Sequence, residues 1–176
     1  MDLIIETERL MMREMRFEDA EALFDMDKNP EVHKYLWQKP ISRIEEIHAY
    51  IEMVRNQYLM NKVGRFSTFI KETNELIGWT GIKFVNDHVE NGNTNFYDYG
   101  YRINKKFWNK GYATEASKAW LDYGFNQMHI EEINAYTHAE NTASNQVLQK
   151  VGFNFIENYP DEQNVIWKWW QLKNKN

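Results

Sequence analysis

A chain of 176 residues suits one domain, 1–176, large enough to bury a real core. With 21 basic against 26 acidic residues, its net charge of −5 argues against a phosphate-backbone binder and suits either a cationic ligand or a plain solvated acidic surface. No cysteine occurs, which excludes disulfides, thiolate metal sites and a cysteine nucleophile, and suits a reducing compartment.

The opening MDLIIETERL carries acids and only a short apolar patch, unlike a signal peptide. No apolar run approaches the roughly 18 residues of a membrane span. We therefore expect a cytoplasmic protein with neither a nucleic acid nor a membrane as partner. ERLMMREMR alternates loosely and predicts a first strand. RFEDAEALFDMD places Phe17, Ala20, Leu23 and Phe24 on one helical face, and NPEVHKYLW predicts a short helical turn after Pro30. ISRIEEIHAYIEMVRNQYL is the clearest helix. Ser42 and Glu45 have capping-box spacing, and Ile44, Ile47, Ile51, Val54 and Tyr58 recur at three and four. The period then changes. RFSTFI and ELIGWTGIKFV are strands joined by the turn KETN, followed by the polar loop NDHVENGNTN and the strand FYDYGYRI.

A helix is expected from about Gly111 to Gln127, with Ala113, Ala116, Trp120, Leu121, Gly124 and Phe125 as its buried stripe. EEINAYTH is a strand, NTASNQVLQKV a helix, and FNFIEN and VIWKWWQL the last strands. This order calls for a mixed α/β sheet with helices on both faces. Three tryptophans within 167–170 predict that both faces of the last strand are covered, which makes a homodimer contact a candidate.

The stretch NKGYAT sits between a strand and a helix. The first turn of a helix has N–H groups without partners and the positive end of the dipole, so it takes an anion readily. Gly111 lets backbone approach closely, and small Ala113 keeps the approach open. Lys110, with Lys105 and Lys106, adds positive charge. The stretch therefore reads as a pyrophosphate cradle, or more plainly as a turn glycine among solvated lysines. It is neither a P-loop nor a dinucleotide fingerprint, which counts against a nucleotide-binding protein. A second segment, HAENTASNQVLQKVGF, follows a strand, with Asn141 as a helix cap and Ser144 one turn along. The five histidines show no metal-ligand spacing, so no metal is expected.

Together these segments resemble the GNAT-fold N-acetyltransferases, and specifically the RimJ/RimL-like branch of ribosomal-protein N-terminal alanine acetyltransferases. The resemblance covers nearly the whole chain: TERLMMREMRFEDAEALFDM, NPEVHKYL, LIGWTGI and YDYGYRI follow in family order. FWNKGYATEA matches the acetyl-CoA pyrophosphate loop and ENTASNQVLQKVGF the second cofactor motif. Asn109 replaces a usual glycine, and asparagine tolerates positive φ. Leu148 stands where many members carry a tyrosine that protonates the leaving thiolate, so that role does not transfer.

The resemblance implies a splayed, mostly antiparallel mixed sheet. Acetyl-CoA would lie between YDYGYRI and INAYTH. The backbone of Tyr101, Arg102 and Ile103 would pair with the pantetheine arm. Asn109, Lys110, Gly111, Tyr112, Ala113 and Thr114 would hold the pyrophosphate, and Asn141 would bond the arm. A primary amine, either a protein N-terminus or a small molecule, would attack the thioester directly. Ser144 is the candidate proton donor, or a hydroxyl bonded back to its own helix. Asp98, where the branch often has glutamate, is the candidate base acting through water, or an ion-paired carboxylate. Trp37, Trp79 and Tyr97 are candidates for the acceptor pocket or for plain core. His138, Asp87 and Glu90 are candidates for its border or for structural and solvated roles. The alternative function is a catalytically silent acyl-CoA-binding module.

Overall fold

The computed structural model describes residues 3–36 and 38–175. Strand β1 (Ile4–Glu6) pairs antiparallel with β2 (Leu10–Glu14). A single 3₁₀ turn, Phe17–Asp19, leads into α1 (Ala20–Asp27). Turns around residues 31–36 then connect to α2 (Ile44–Asn61). Strands β3 (Arg65–Ile70), β4 (Glu75–Val85) and β5 (Phe96–Ile103) follow as an antiparallel meander. The remainder is α3 (Tyr112–Asn126), β6 (Glu132–His138), α4 (Thr142–Lys150), β7 (Asn154–Pro160) and β8 (Ile166–Lys173).

All eight strands form one sheet in the order β1-β2-β3-β4-β5-β6-β8-β7, antiparallel throughout except β5 beside β6. Because side chains alternate across a strand, each strand serves two helical layers. Ser67, Trp79 and Arg102 face α1, α2 and the turn before them. Ser67 donates to Asp19 (2.7 Å), Arg102 donates to Asp27 (2.9 Å), and the Trp79 ring meets that of Tyr50. Thr80, Tyr99 and Tyr101 face α3 and α4, bonding Trp120, Ser117 and Ser144. The main core runs through both layers, from Leu10 and Met12 past Ile47 and Ile51 to Ile82 and Trp120.

Local details differ from the sequence expectations. Phe17 is 53% exposed, because the 3₁₀ turn rotates it off the face that buries Ala20, Leu23 and Met26. Helix α2 starts at Ile44, so Glu46 rather than Glu45 closes the cap. One Glu46 oxygen accepts from the N–H groups of Ser42 and Arg43 at 3.2 and 3.0 Å. Trp167 and Trp169 pack with Val85, Phe96 and Tyr159 in a second cluster, while Trp170 enters the main core. The chain itself covers all three, so these tryptophans give no argument for a second copy. Among the described residues no helix is long and apolar enough to cross a membrane.

Candidate acetyl-donor site

Strands β5 and β6 share only two register pairs, Tyr97 with Ile133 and Asp98 with Asn134. Beyond them the parallel strands separate, so one edge of β5 has no strand partner. Two observations fix which groups line that edge. The Asn104 N–H donates to the Ile77 carbonyl on β4 (2.8 Å), and a Cβ on Gly78 would collide with the Arg102 carbonyl. Arg102 and Asn104 therefore point their peptide groups at β4. By strand alternation, Tyr101 and Ile103 aim theirs into the gap. Arg102 turns away from it altogether. Its guanidinium bonds Asp27 and lies 5.2 Å from the Trp79 ring. The Ile103 carbonyl accepts the Trp108 indole N–H at 2.7 Å, which ties the following loop to the strand end.

That loop is wound by its special residues. Asn104 caps the 3₁₀ turn Lys105–Phe107. Asn109 sits at φ 60° and Gly111 at φ 82°, both left-handed, so Asn109 adopts the conformation its side chain tolerates. The consequence is electrostatic. The first bond of α3 is Glu115 N–H to the Gly111 carbonyl. The six backbone N–H groups from Asn109 to Thr114 have no acceptor among the described residues. Six consecutive donors at the positive end of a helix make an anion cradle.

The lysines expected to charge it are mostly engaged elsewhere. Lys105 pairs with Glu31 and Lys106 with Asp25, while Lys110 lies 5.4 Å from the Phe107 ring. The cation that serves the loop is Arg9, from the turn before β2. Arg9 donates to the Lys110 carbonyl (3.0 Å), pairs with Glu115 (2.6 Å), and stacks 4.6 Å from the Tyr112 ring. A Cβ on Gly111 would approach the Arg9 guanidinium to 3.3 Å. Burial tends to raise the Glu115 pKa, but bonds from Thr7 and from the Arg9 backbone and side chain outweigh it. The net value falls below the ordinary 4.5.

Across the gap, Asn141 caps α4 by accepting from the Ser144 N–H (3.2 Å). The Ser144 hydroxyl accepts from the Tyr101 phenol at 3.1 Å rather than bonding back to its helix. Burial raises the Tyr101 pKa, with the Ser144 bond opposing, so the phenol is a persistent proton donor. Leu148 is core, 2% exposed. Helix α4 is fixed to β6 by a chain of side chains: Trp170 donates to Thr137 (2.8 Å) and Thr137 to Asn145 (2.6 Å).

Asp98 lies on the opposite face at the apex of the gap, 2% exposed, and pairs with the Arg65 guanidinium. That guanidinium crosses β4 to reach it, bonding the Gly81 carbonyl and the Asp98 carbonyl (2.9 Å) on the way. Gly100 leaves the room: a Cβ there would sit 2.8 Å from an Arg65 nitrogen. Asp98 is thus an ion-paired carboxylate. Around it stand half-buried side chains whose titration is nonetheless governed by burial: Tyr50 is pushed up to about 12, Tyr136 is raised, and Lys83 is lowered. All three lie on the Asp98 face of the sheet. Glu90 accepts from Tyr159 (2.6 Å), and His138 meets the Tyr35 ring at a tilt and the Trp167 ring edge-on. Asp87 is exposed and bonds His88. Trp79 lies beneath Arg65 and Arg102. Tyr97 points to the other face, packed on Phe84, and Trp37 lies outside the described residues. Among the described residues no cluster of acids and histidines could hold a metal.

Nothing in the local sequence announces Arg9, Arg65 or the Tyr101 hydroxyl, because their partners lie 106, 33 and 43 residues away. The comparisons with known proteins agree with this geometry. An acetyltransferase (GNAT) domain model matches residues 9–154. The uncharacterized N-acetyltransferase p20 of Bacillus licheniformis is 35% identical over 147 residues, covering 84% of this chain and 80% of its own. A GNAT-family acetyltransferase structure from Bacillus anthracis superposes with a TM-score of 0.80 at 27% identity, covering 99% of this chain and all of its own. The RimL ribosomal-protein α-N-acetyltransferase in complex with coenzyme A shares the fold, with a TM-score of 0.81 at 16% identity over 97% of this chain and 98% of its own. With a family model spanning most of its length and a relative above 30% identity, this chain belongs to the GNAT family of acetyl-CoA-dependent acetyltransferases.

Proposed function

We propose that the protein moves the acetyl group of acetyl-CoA to a primary amine, with the α-amine of a polypeptide N-terminus as the first acceptor class to test. The observation that carries this reading is the run of N–H groups from Asn109 to Thr114 that have no acceptor among the described residues, following a strand, β5, whose far end has no strand partner on one edge. Asn109, Lys110, Gly111, Tyr112, Ala113 and Thr114 would hold the pyrophosphate. Tyr101 and Ile103 would pair with the pantetheine arm as an added strand. Arg102 would contribute only through its neighbours, since its own peptide group faces β4. The Asn141 amide nitrogen, its oxygen already used in the cap, would bond the arm from the other side.

Bound there, acetyl-CoA supplies an activated acyl carbon and a thiolate leaving group. The Tyr101 backbone N–H, which faces away from β4, would polarise the thioester carbonyl. Ser144 would pass a proton to the departing sulfur and be restocked by the Tyr101 phenol. Asp98, held by Arg65, would orient a water that takes the proton of the attacking amine. The acceptor choice follows from amine chemistry. A protein α-amine has a pKa of about 8 and is roughly a tenth neutral at pH 7, whereas a lysine-like amine near 10.4 is neutral at about one part in a few thousand. An α-amine therefore asks least of a weak base.

The test is release of the CoA thiol with a panel of N-terminal peptides, amino acids and alkylamines. Acceptor-dependent release with matching amide formation is expected, the peptides leading. Acetyl-CoA binding without release for any amine would overturn the transferase reading in favour of a silent binding module.

A further inference from the structure

Most lysines of the chain are exposed, and several are paired with carboxylates. Lys83 and Lys168 are the half-buried ones among the described residues. Lys168 lies 5.6 Å from the Phe155 ring at the sheet edge, whereas Lys83 stands on β4, one strand in from the gap and level with its apex. Its register partner on β5 is Asp98, whose own partner Asn134 belongs to the last pair before the strands part. By alternation, Lys83 projects on the same face of the sheet as Asp98 and Arg65. Arg65 has taken the Asp98 carboxylate, and among the described residues Lys83 has no hydrogen bond or ion pair. Its four-carbon stem is long enough to span the about 4.8 Å to the next strand.

We propose that Lys83 is a self-acetylation site, its ε-amine taking the acetyl group from acetyl-CoA seated in the gap when no acceptor amine is bound. This rests on the donor seat proposed above. In the step, the neutral Nζ lone pair forms a bond to the acyl carbon and the C–S bond breaks. Nζ gives up one proton and the thiolate gains one, leaving acetyl-lysine and the free CoA thiol. No oxidant or further reactant is needed. The surroundings favour the neutral amine: burial lowers the Lys83 pKa, outweighing the attraction of Asp98, with Arg65 acting in the same direction as burial and Asp87 and Glu90 against it. The product would be uncharged and lodged on the acceptor side, so acetylation would throttle turnover when acceptor is scarce.

The experiment incubates the full chain with acetyl-CoA and no acceptor, then maps acetylated lysines by peptide mass spectrometry, with melting curves recorded in parallel. Lys83 is expected to label at least tenfold faster than exposed Lys39 and Lys118. The labelling should be slowed by excess CoA, abolished when the chain is unfolded in urea, and absent in Lys83→Arg, which should retain the acetyl-CoA melting shift. Labelling of Lys83 no faster than that of the exposed lysines, with the melting shift intact, would overturn the self-acetylation and leave the donor seat standing. Loss of the melting shift in the wild-type chain would overturn both.

Discussion

Tyr101 and Ser144 form a hydrogen-bonded pair of hydroxyls that neither residue's local sequence suggests, since the bond crosses from β5 to α4, and the proposed function makes it a proton relay. Positioned proton transfer contributes typically 10²–10⁴-fold. Ser144→Ala should therefore lower kcat at least about tenfold with acetyl-CoA affinity nearly unchanged, and Tyr101→Phe should lower it by less. Steady-state kinetics beside a binding titration decides this: an unchanged kcat in Ser144→Ala would make the serine structural. Asp98 requires a different reading. Removing it leaves Arg65 buried without its carboxylate, a loss of about 3–5 kcal/mol in comparable pairs. Asp98→Ala should thus shift the urea midpoint strongly, while Asp98→Asn keeps an acceptor for Arg65 and should lower kcat at a smaller cost in stability. Equal stability of wild type and Asp98→Ala would contradict the buried pair. Asp98 is a candidate base only through the family resemblance, where the branch often has glutamate. Its guanidinium partner was not legible, because an arginine at the start of β3 looks like any strand-end arginine until the sheet brings Gly81 and Gly100 beneath it.

The loop between β5 and α3 shows what a local pattern can and cannot reveal. Gly111, Asn109 and the small Ala113 mark a left-handed entry to a helix, and the structure winds it so. The neighbouring lysines mislead, because charge along a sequence does not say which carboxylate a side chain reaches. The buttress is Arg9, drawn in by the Glu115 carboxylate on the first turn of α3. Arg9 is 43% exposed, so the pair itself is worth at most about 1 kcal/mol. Arg9→Ala should weaken acetyl-CoA binding about fivefold by calorimetry and lower the melting temperature of the free protein by at most about 4 °C, on the scale of that pair. An unaltered dissociation constant would remove Arg9 from the site. The Glu115 pair also sets a pH dependence. Its folded pKa lies below 4.5, so its stabilisation is present above that value and is lost as pH falls through the folded pKa. The melting-temperature gap between wild type and Glu115→Gln should be open at neutral pH and close in acid. A gap that persists unchanged in acid would contradict the linkage.

At the scale of the whole molecule, element order follows from periodicity, which is local. A change from period 3.6 to period 2 after Tyr58 is visible without any structure. Strand β1 has no period-2 signature because Ile4–Glu6 is too short to alternate, and it forms by pairing with β2 and burying Ile5. The one parallel junction is not written in any local pattern. The gap is a property of how right-handed crossovers, twisted strands and α3 with α4 fit together, and the sequence pointed to it only through its resemblance to a known family. In the function proposed above, that gap seats the donor, with the loop 109–114 at one end, the Tyr101–Ser144 pair across the middle and the Asp98–Arg65 pair at the apex. The most direct test is hydrogen exchange of the free and acetyl-CoA-bound protein. We predict slowed exchange on binding at the amides of residues 109–114 and at Tyr101 and Ile103, with Arg102, already turned to β4, little changed. Protection elsewhere with these amides unaffected would contradict the account.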